Sequence, residues 1–301
     1  KTALYMMKKL GWTGKASSML QGNIGMTNID YEMPDYEYHD KKKHPHISSS
    51  DVKTVYGKSL LHWVGQEYKE SPTLDMGKAV HSLILEYEKQ AVVRGPSDRR
   101  GNKWKEAKQQ AEQQGKILLT ERDYDTALEI AESALFNSEF LRSRVSAKNF
   151  ISEASIFTTC KKTGMLIKCR PDGLLVPQDD KGKGEILDIK TTQDASPEGF
   201  QRELRKYNYD LQIAFYLHTM RCASLPCSEM YLVAIEKTPP YAVGVHVLSE
   251  IYIKHAEKSM IQTLEKMKHA ESSQDFSTGW PEINQVHLPA WLEDDMDDAA
   301  F

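Results

Sequence analysis

The sequence lacks the features of several specialised classes of protein. It has four cysteines among 301 residues and no Cys-x-x-Cys pair, which excludes a disulfide scaffold and indicates reduced thiols in an intracellular protein. Its apolar runs are far shorter than the roughly 20 residues that span a bilayer, so we expect no membrane segment. The N-terminus shows no secretory signal. It begins with Lys rather than Met, so we expect a fragment of a longer chain.

An excess of positive charge is also missing. The 39 Lys and Arg residues against 43 Asp and Glu residues give a formal charge of −4. This balance excludes a generally basic nucleic-acid coat but leaves room for a local basic groove. Acidic residues cluster at the C-terminal end, and we expect residues 293–301 to form a solvated tail. The rest has an ordinary globular composition, with 40% hydrophobic and 27% charged residues.

The hydrophobic pattern separates an N-terminal stretch from a single domain. Residues 1–47 are weakly periodic, and we expect an arm or linker there. The helical period predicts helices after Ser48, after Ser71, and over residues 97–115, 121–146, 197–222 and 251–270. The strand period predicts strands over residues 151–160, 165–170, 174–176, 185–190, 230–235 and 242–248, the first four as an antiparallel meander. These elements predict a mixed α/β domain over residues 48–292.

Two short acidic segments are the best candidates for chemistry. Alternate side chains of a strand share a face, so Asp188 and Lys190 point to one side, and the meander places Asp172 beside them. Two carboxylates suit Mg²⁺ or Mn²⁺. Lys190 could orient an attacking water or stabilise charge on a phosphate. Taken alone, such a pattern arises often by chance, and a surface ion pair is its more common explanation.

Four further side chains strengthen the candidate site. Gln212 and Tyr216 lie four residues apart on one face of a predicted helix. His81 lies at the edge of an amphipathic stripe, where a lone histidine is more often a core or boundary residue than a ligand. Glu153 begins a predicted strand and is otherwise an ordinary edge carboxylate.

Five motifs in order resemble a known family. They are Gly77-x-x-x-His81-x-Leu83-x-Leu85-Glu86, Glu153-Ala154-Ser155-Ile156, Thr163-Gly164-x-x-x-Lys168-x-Arg170-Pro171-Asp172, Asp188-Ile189-Lys190-Thr191-Thr192 and Tyr209-Asp210-x-Gln212-x-x-x-Tyr216. This series resembles the nuclease domain of the exonuclease VIII (RecE) family, within the PD-(D/E)XK superfamily that includes RecB and lambda exonuclease. The resemblance runs from Ser48 to a closing Leu288-Pro289-Ala290-Trp291. It implies a central mixed β-sheet flanked by helices.

The resemblance also implies a role for each matching residue. A metal site would be formed by the side chains of His81, Asp172 and Asp188 and by the backbone carbonyl of Ile189. The catalytic group would comprise Lys190 as the catalytic lysine, with Asp172, Asp188 and the acidic position Glu153. The motif residues Gln212 and Tyr216 would contact DNA or brace the lysine.

The family resemblance implies an activity and its partners. The expected reaction is Mg²⁺-dependent 5′–3′ degradation of linear double-stranded DNA from its ends, with Mn²⁺ as a substitute and one or two ions per site. It would leave 3′ single-stranded tails for recombination by strand annealing. The expected partners are DNA ends, a homo-oligomeric ring of three or four subunits and a RecT-like annealing protein, with no membrane. The expected location is the cytoplasm of a bacterial or phage-infected cell.

DNA contacts and rival interpretations remain open. Arg170 precedes Asp172 and could meet a phosphate, and Lys161 and Lys162 form a small basic patch that could equally be a solvated face. One rival is a catalytically silent DNA-binding module of the same fold, and another is an endonuclease. An iron–sulfur exonuclease needs four clustered cysteines, which this spacing does not supply. A structural zinc protein is the weakest alternative, because no ligand-pair spacing fits one.

Overall fold

The computed structural model describes residues 27–66, 72–177, 182–225 and 227–287. The helices are α1 (Asp35–Tyr38), α2 (Ser49–Gly57), α3 (Leu60–Val64), α4 (Pro72–Leu85), α5 (Asn102–Gln113), α6 (Glu121–Asn137), α7 (Glu139–Val145), α8 (Pro197–Lys206), α9 (Tyr209–Cys222) and α10 (Glu250–Ser273). The strands are β1 (Asn28–Asp30), β2 (Val92–Arg94), β3 (Ile117–Leu119), β4 (Phe150–Ser152), β5 (Ser155–Thr159), β6 (Leu166–Cys169), β7 (Gly173–Leu175), β8 (Gly184–Thr192), β9 (Cys227–Glu236) and β10 (Val243–His246). The expected acidic tail and the closing motif lie outside the described residues.

A five-stranded mixed sheet is the centre of the fold. Its strand order is β10-β9-β8-β7-β4, and only the β8–β9 pair is parallel. That pair is parallel because the chain crosses between the two strands through α8 and α9. A second antiparallel sheet has the order β1-β5-β6, and β2 pairs with β3. The predicted mixed sheet flanked by helices is therefore confirmed.

The two faces of β8 are buried in different hydrophobic clusters. Ile186 packs in the cluster that includes α9 and α10, whereas Leu187 and Ile189 pack in the cluster that includes α4 and α6. The predicted alternation along this strand is what separates these side chains. Helix α9 is buried on nearly every side, which is typical of a helix held inside a domain.

Three predicted elements are interrupted in the structure. The expected meander is divided between the two larger sheets, because the chain leaves β4 at Glu153, whose φ of 52° turns the backbone before β5. The expected helix over 121–146 breaks at Ser138, whose side chain accepts the amide of Leu141 and starts a new helix. The expected helix over 197–222 breaks at Asn208, which has a φ of 50°. A positive φ is uncommon outside glycine, and neither it nor a serine cap inside a continuous apolar pattern changes the hydrophobic periodicity.

The described part of the expected arm lies against the domain. Strand β1 pairs with β5, and the Ile47 amide donates to the Leu166 carbonyl at 2.8 Å. The buried Lys168 ammonium donates to the Tyr38 carbonyl. Residues 27–47 therefore contribute to the folded structure, and the boundary at residue 48 stays a prediction. Within the described ranges, no helix is both long and apolar enough to cross a membrane.

Candidate active site

Neighbouring strands bring the two predicted carboxylates together. Gly173 faces Leu187 across the β7–β8 pair, which places Asp172 beside Asp188 at the start of β7. The Ile189 amide donates to Asp172 Oδ2 at 2.6 Å. This bond fixes Asp172 against β8. The carbonyl oxygen of the same residue, Ile189, is the backbone atom that we expected to bind the metal.

Lys190 forms an ion pair with Asp188 inside the protein. Its ammonium contacts Asp188 Oδ2, and the Asp188 residue is only 1% exposed. Burial alone would lower the pKa of Lys190, but the charges of Asp188 and Asp172 outweigh it and raise that pKa. Lys190 therefore stays protonated at neutral pH and is a cation at the site.

His81 reaches the same carboxylates from a helix. Helix α4 packs on β8, and His81 Nδ1 lies 3.5 Å from Asp172 Oδ2. Burial is the largest cause that raises the pKa of Asp172; the negative charge of Asp188 adds to it, whereas His81 opposes it. The structure thus brings together His81 and Asp172, two of the three side chains that we predicted as metal ligands, with Asp188 on the neighbouring strand.

Gln212 and Tyr216 brace the site from helix α9. Gln212 Nε2 donates to Asp188 Oδ1 at 2.7 Å, and the Tyr216 hydroxyl donates to the Arg170 carbonyl at 3.1 Å. Both side chains are buried. Their spacing of four residues places them on one face of α9, where each holds one of the two segments that carry the acidic residues.

Glu153 lies behind Asp172. Its amide donates to the Asp172 carbonyl at 3.2 Å, and its carboxylate lies 4.0 Å from the Arg170 guanidinium. Burial, helped by the charge of Asp172, raises the pKa of Glu153 to about 9. The Arg170 guanidinium opposes this rise in pKa, so Glu153 is a more readily protonated acid than an exposed glutamate, beside Asp172.

The residues expected to contact DNA are placed differently. The Arg170 guanidinium is buried: it donates to Ser155 Oγ at 2.8 Å and to the Met33 carbonyl at 2.6 Å. This geometry favours a packing role over the phosphate contact that we expected. Lys161 and Lys162 are exposed in the turn after β5, at the opposite end of that strand from Glu153, so the structure does not bring them to the site.

Lys53 and Tyr209 are site residues to which the sequence motifs gave no role. Lys53 lies on α2, and its ammonium donates to Gln212 Oε1 at 3.2 Å. The ammonium groups of Lys53 and Lys190 lie 5.5 and 5.1 Å from the centre of the Tyr209 ring. Burial and the neighbouring charge of Lys190 lower the pKa of Lys53 to about 8. In the sequence, Lys53 is distinguished only by its position one turn into a capped helix. That position is too common to identify a site residue.

The donor atoms suit a hard divalent cation by their chemistry. Carboxylate and carbonyl oxygens are the ligands that Mg²⁺ and Mn²⁺ prefer, whereas an imidazole such as that of His81 is more typical of transition-metal sites. Asp188 Oδ1 is held by Gln212, and Asp188 Oδ2 contacts the Lys190 ammonium. No described group of three or more His, Cys, Asp or Glu side chains is arranged to hold a metal. The donor types therefore fit Mg²⁺, but Lys190 occupies the oxygen that the ion would use.

Comparisons with known proteins agree with this geometry. A family model described as a PDDEXK-like domain of unknown function (DUF3799) matches residues 58–283. The chain belongs to this PDDEXK-like family. No curated protein matches its sequence. The family and the mixed α/β fold support a nuclease of the PD-(D/E)XK superfamily, and they do not single out the RecE type.

A solved structure shows the same fold. A protein from Eubacterium rectale, described as a "putative exonuclease", superposes with a TM-score of 0.53 at 17% identity, covering 80% of this chain and 88% of its own. A second structure, that of SSO0001, is 15% identical and covers 71% of this chain and 85% of its own. Its TM-score of 0.26 is too low to support an argument.

Proposed function

We propose that this PDDEXK-like protein is a Mg²⁺-dependent 5′–3′ exodeoxyribonuclease that degrades linear double-stranded DNA from its ends. The observation that carries the proposal is the group of Asp172, Lys190 and the buried Asp188, joined across β7 and β8 within this fold. The exonuclease description of the Eubacterium rectale protein supports action at DNA ends. The 5′–3′ direction rests on the motif resemblance to RecE-type nucleases.

The mechanism follows from what each side chain can hold. Mg²⁺ or Mn²⁺, as one or two ions, would be held by His81, Asp172, Asp188 and the Ile189 carbonyl, and would polarise the phosphate and lower the pKa of bound water. The Lys190 ammonium would bind the phosphate oxygen or hold the attacking water. For this, its ion pair with Asp188 must open when substrate and cation enter.

The neighbouring residues keep this group in register. Gln212 holds Asp188, the Ile189 amide holds Asp172, and the Tyr216 hydroxyl holds the backbone at Arg170. Burial raises the pKa of Glu153, which reduces the negative charge that this residue presents to an incoming phosphate. Such fixed surroundings reduce the reorganisation needed when charge develops on the phosphate.

The wider biological role is part of the same proposal. The product would be a duplex with 3′ single-stranded tails, suited to recombination through a RecT-like annealing protein. A homo-oligomeric ring of three or four subunits would keep the enzyme on one DNA end. These expectations, and a location in bacterial or phage-infected cytoplasm, come from the motif resemblance alone.

A catalytically silent DNA-binding module is the second candidate. The observation in its favour is the closed Lys190–Asp188 ion pair, together with the absence of a ready metal cage among the described side chains. Such a module would bind DNA without cutting it. Intact acidic residues and an intact lysine at adjacent positions favour the nuclease.

Digestion of end-labelled DNA separates these possibilities. Linear duplex DNA labelled at the 5′ or the 3′ end would be incubated with and without Mg²⁺, beside a closed circle. The proposal predicts early Mg²⁺-dependent release of 5′-labelled mononucleotide and an intact circle. Cutting of the circle would indicate an endonuclease of the same fold. DNA binding without cleavage under any divalent cation would favour the silent module.

A further inference from the structure

Lys53 is a partly buried cation beside the candidate site with no assigned role. It lies on α2, outside every motif that marks the site, and its ammonium donates to Gln212 Oε1 at 3.2 Å. The same ammonium lies 5.5 Å from the centre of the Tyr209 ring. An ammonium that loses part of its hydration is costly unless its donors are used. The Gln212 Oε1 acceptor therefore offsets part of the cost of placing the Lys53 ammonium here.

The contact with Lys53 fixes which way the Gln212 amide points. A glutamine side chain has one acceptor oxygen and one donor NH₂ group, whereas a lysine ammonium can only donate. With Lys53 at Oε1, the NH₂ group faces Asp188 Oδ1, at 2.7 Å. A flipped amide would set NH₂ against the ammonium and oxygen against the carboxylate, and both contacts would be repulsive.

The fixed amide in turn orients Asp188. With Oδ1 held by Gln212, Oδ2 faces the Lys190 ammonium. We propose that Lys53 is a positioning residue, which locks the Gln212 amide so that Asp188 presents Oδ2 to Lys190 and to a divalent cation. The inference rests on the proposed function, because it concerns the same site, but it can be measured without DNA cleavage.

A direct contact between Lys53 and DNA would behave differently. It would raise the KM for DNA, increase the dependence of binding on salt and leave metal affinity unchanged. Its loss would also multiply with the loss of Gln212. A positioning role through Gln212 predicts that the double variant is no worse than Gln212→Ala alone, because the two residues act through one contact.

The test combines two measurements on the full chain. Mn²⁺ binding without DNA would be followed by electron paramagnetic resonance, and the Mg²⁺ dependence of DNA degradation would be measured separately. The variants are Lys53→Met, Lys53→Arg, Gln212→Ala, the Lys53→Met/Gln212→Ala double variant and Lys58→Met, a control at an exposed lysine that ends the same helix. Thermal unfolding would confirm that each variant folds.

The expected pattern is specific. Lys53→Met should weaken Mn²⁺ binding and raise the Mg²⁺ requirement about tenfold or more, as outer-shell substitutions do. The double variant should match Gln212→Ala within about twofold. Lys53→Arg should stay within about threefold of the wild type, because a guanidinium can donate to the same oxygen. Lys58→Met should change neither measurement.

The opposing outcomes are distinct from failure of the proposed function. Unchanged Mn²⁺ binding in Lys53→Met would overturn the inference, and so would an effect that multiplies with that of Gln212→Ala. In either case, DNA degradation by the wild type would still support the proposed nuclease activity. The expected Mn²⁺ pattern in a protein that degrades no DNA would support the inference and reject the nuclease. A wild type that binds no Mn²⁺ would overturn the inference as well.

Discussion

Asp188 is the residue on which the other site side chains converge. Its Oδ1 accepts from Gln212, its Oδ2 pairs with Lys190, and it lies beside Asp172 across the sheet. Two carboxylates this close repel each other, and the raised pKa of Asp172 reflects burial together with that repulsion. Placing two carboxylates together lowers the free energy of unfolding. Such an arrangement is typical of a functional site, where the perturbed groups serve binding or catalysis.

Removing one of these carboxyl charges should stop cleavage without unfolding the protein. Asp172→Asn keeps the shape and can still accept the Ile189 amide bond, but it lowers the negative charge offered to a cation. We expect DNA degradation to fall about 10³-fold or more. The free energy of unfolding should be unchanged or higher, because the repulsion with Asp188 is removed. Denaturant titration and a nuclease assay on one preparation would measure both.

His46 should make the stability of the protein depend on pH. Burial, with the nearby Lys168 charge, lowers the pKa of His46 from 6.5 to about 4, and its Nδ1 has no hydrogen-bond partner among the described residues. Between those values the unfolded chain binds the proton more readily than the folded one, so stability falls as the pH drops through this window. The full shift would correspond to about 3 kcal/mol, and because the imidazole is partly exposed to solvent we expect a loss of about 1–2 kcal/mol.

Urea titration at several pH values would measure this effect. Unfolding free energies of the wild type and of His46→Gln, which cannot take up the proton, would be compared between pH 7 and pH 4. The variant should lose less stability over that range. His269→Gln, at an exposed position, is the matched control and should follow the wild type. Parallel curves for wild type and His46→Gln would contradict the assignment.

At the scale of elements, α2 connects the site to the rest of the domain. A capping box starts this helix: the Asp51 amide donates to Ser48 Oγ, and the Ser48 amide donates to Asp51 Oδ2. Asp51 Oδ1 also accepts the buried indole N–H of Trp63 at 3.1 Å. The same carboxylate therefore caps one helix and satisfies a side chain of the next.

Substitutions in this capping box should therefore differ in cost. Ser48→Ala should lower the free energy of unfolding by about 1 kcal/mol, the usual value of a lost N-cap. Asp51→Ala should cost about 2–3 kcal/mol, because it also leaves the Trp63 indole buried without an acceptor. Equal losses in the two variants, measured by denaturant unfolding, would show that the indole contact adds nothing.

The elements also show how far sequence patterns lead. Alternation along β8 was enough to place Asp188 and Lys190 on one face, because the period of a strand is fixed by its backbone. The spacing of Gln212 and Tyr216 likewise followed from the helical period. The separation of β4 from β5 did not, because it depends on a positive φ at Glu153. The contact of Lys53 with Gln212 joins residues 159 positions apart, and no local pattern encodes it.

At the scale of the whole molecule, residues 27–47 support the segment that leads into the site. Met33 and Tyr38 surround the Arg170 guanidinium, with the Tyr38 ring centre 4.4 Å away, and the Tyr38 carbonyl accepts from Lys168. Both cations are buried and use partners that precede the predicted domain boundary. A chain that begins at residue 48 would leave them without these partners.

Truncation tests this dependence. A chain without residues 1–47 should be destabilised by about 3 kcal/mol or more, since Lys168 and Arg170 lose the backbone carbonyls of Tyr38 and Met33 as acceptors. Adding Lys168→Met and Arg170→Met to the truncated chain should restore part of that loss, because the unpaired charges disappear. A truncated chain as stable as the full one in urea would show that this segment is a true linker.

The central claim is that Asp172, Asp188 and Lys190 form a Mg²⁺-dependent nuclease centre. The most direct test is the release of mononucleotides from linear duplex DNA by the wild type and by Lys190→Met, each with Mg²⁺ and with chelator. We predict rapid release by the wild type with Mg²⁺ only, and loss of release in a folded Lys190→Met protein. Equal release by both proteins, or none by the wild type under any divalent cation, would contradict the claim.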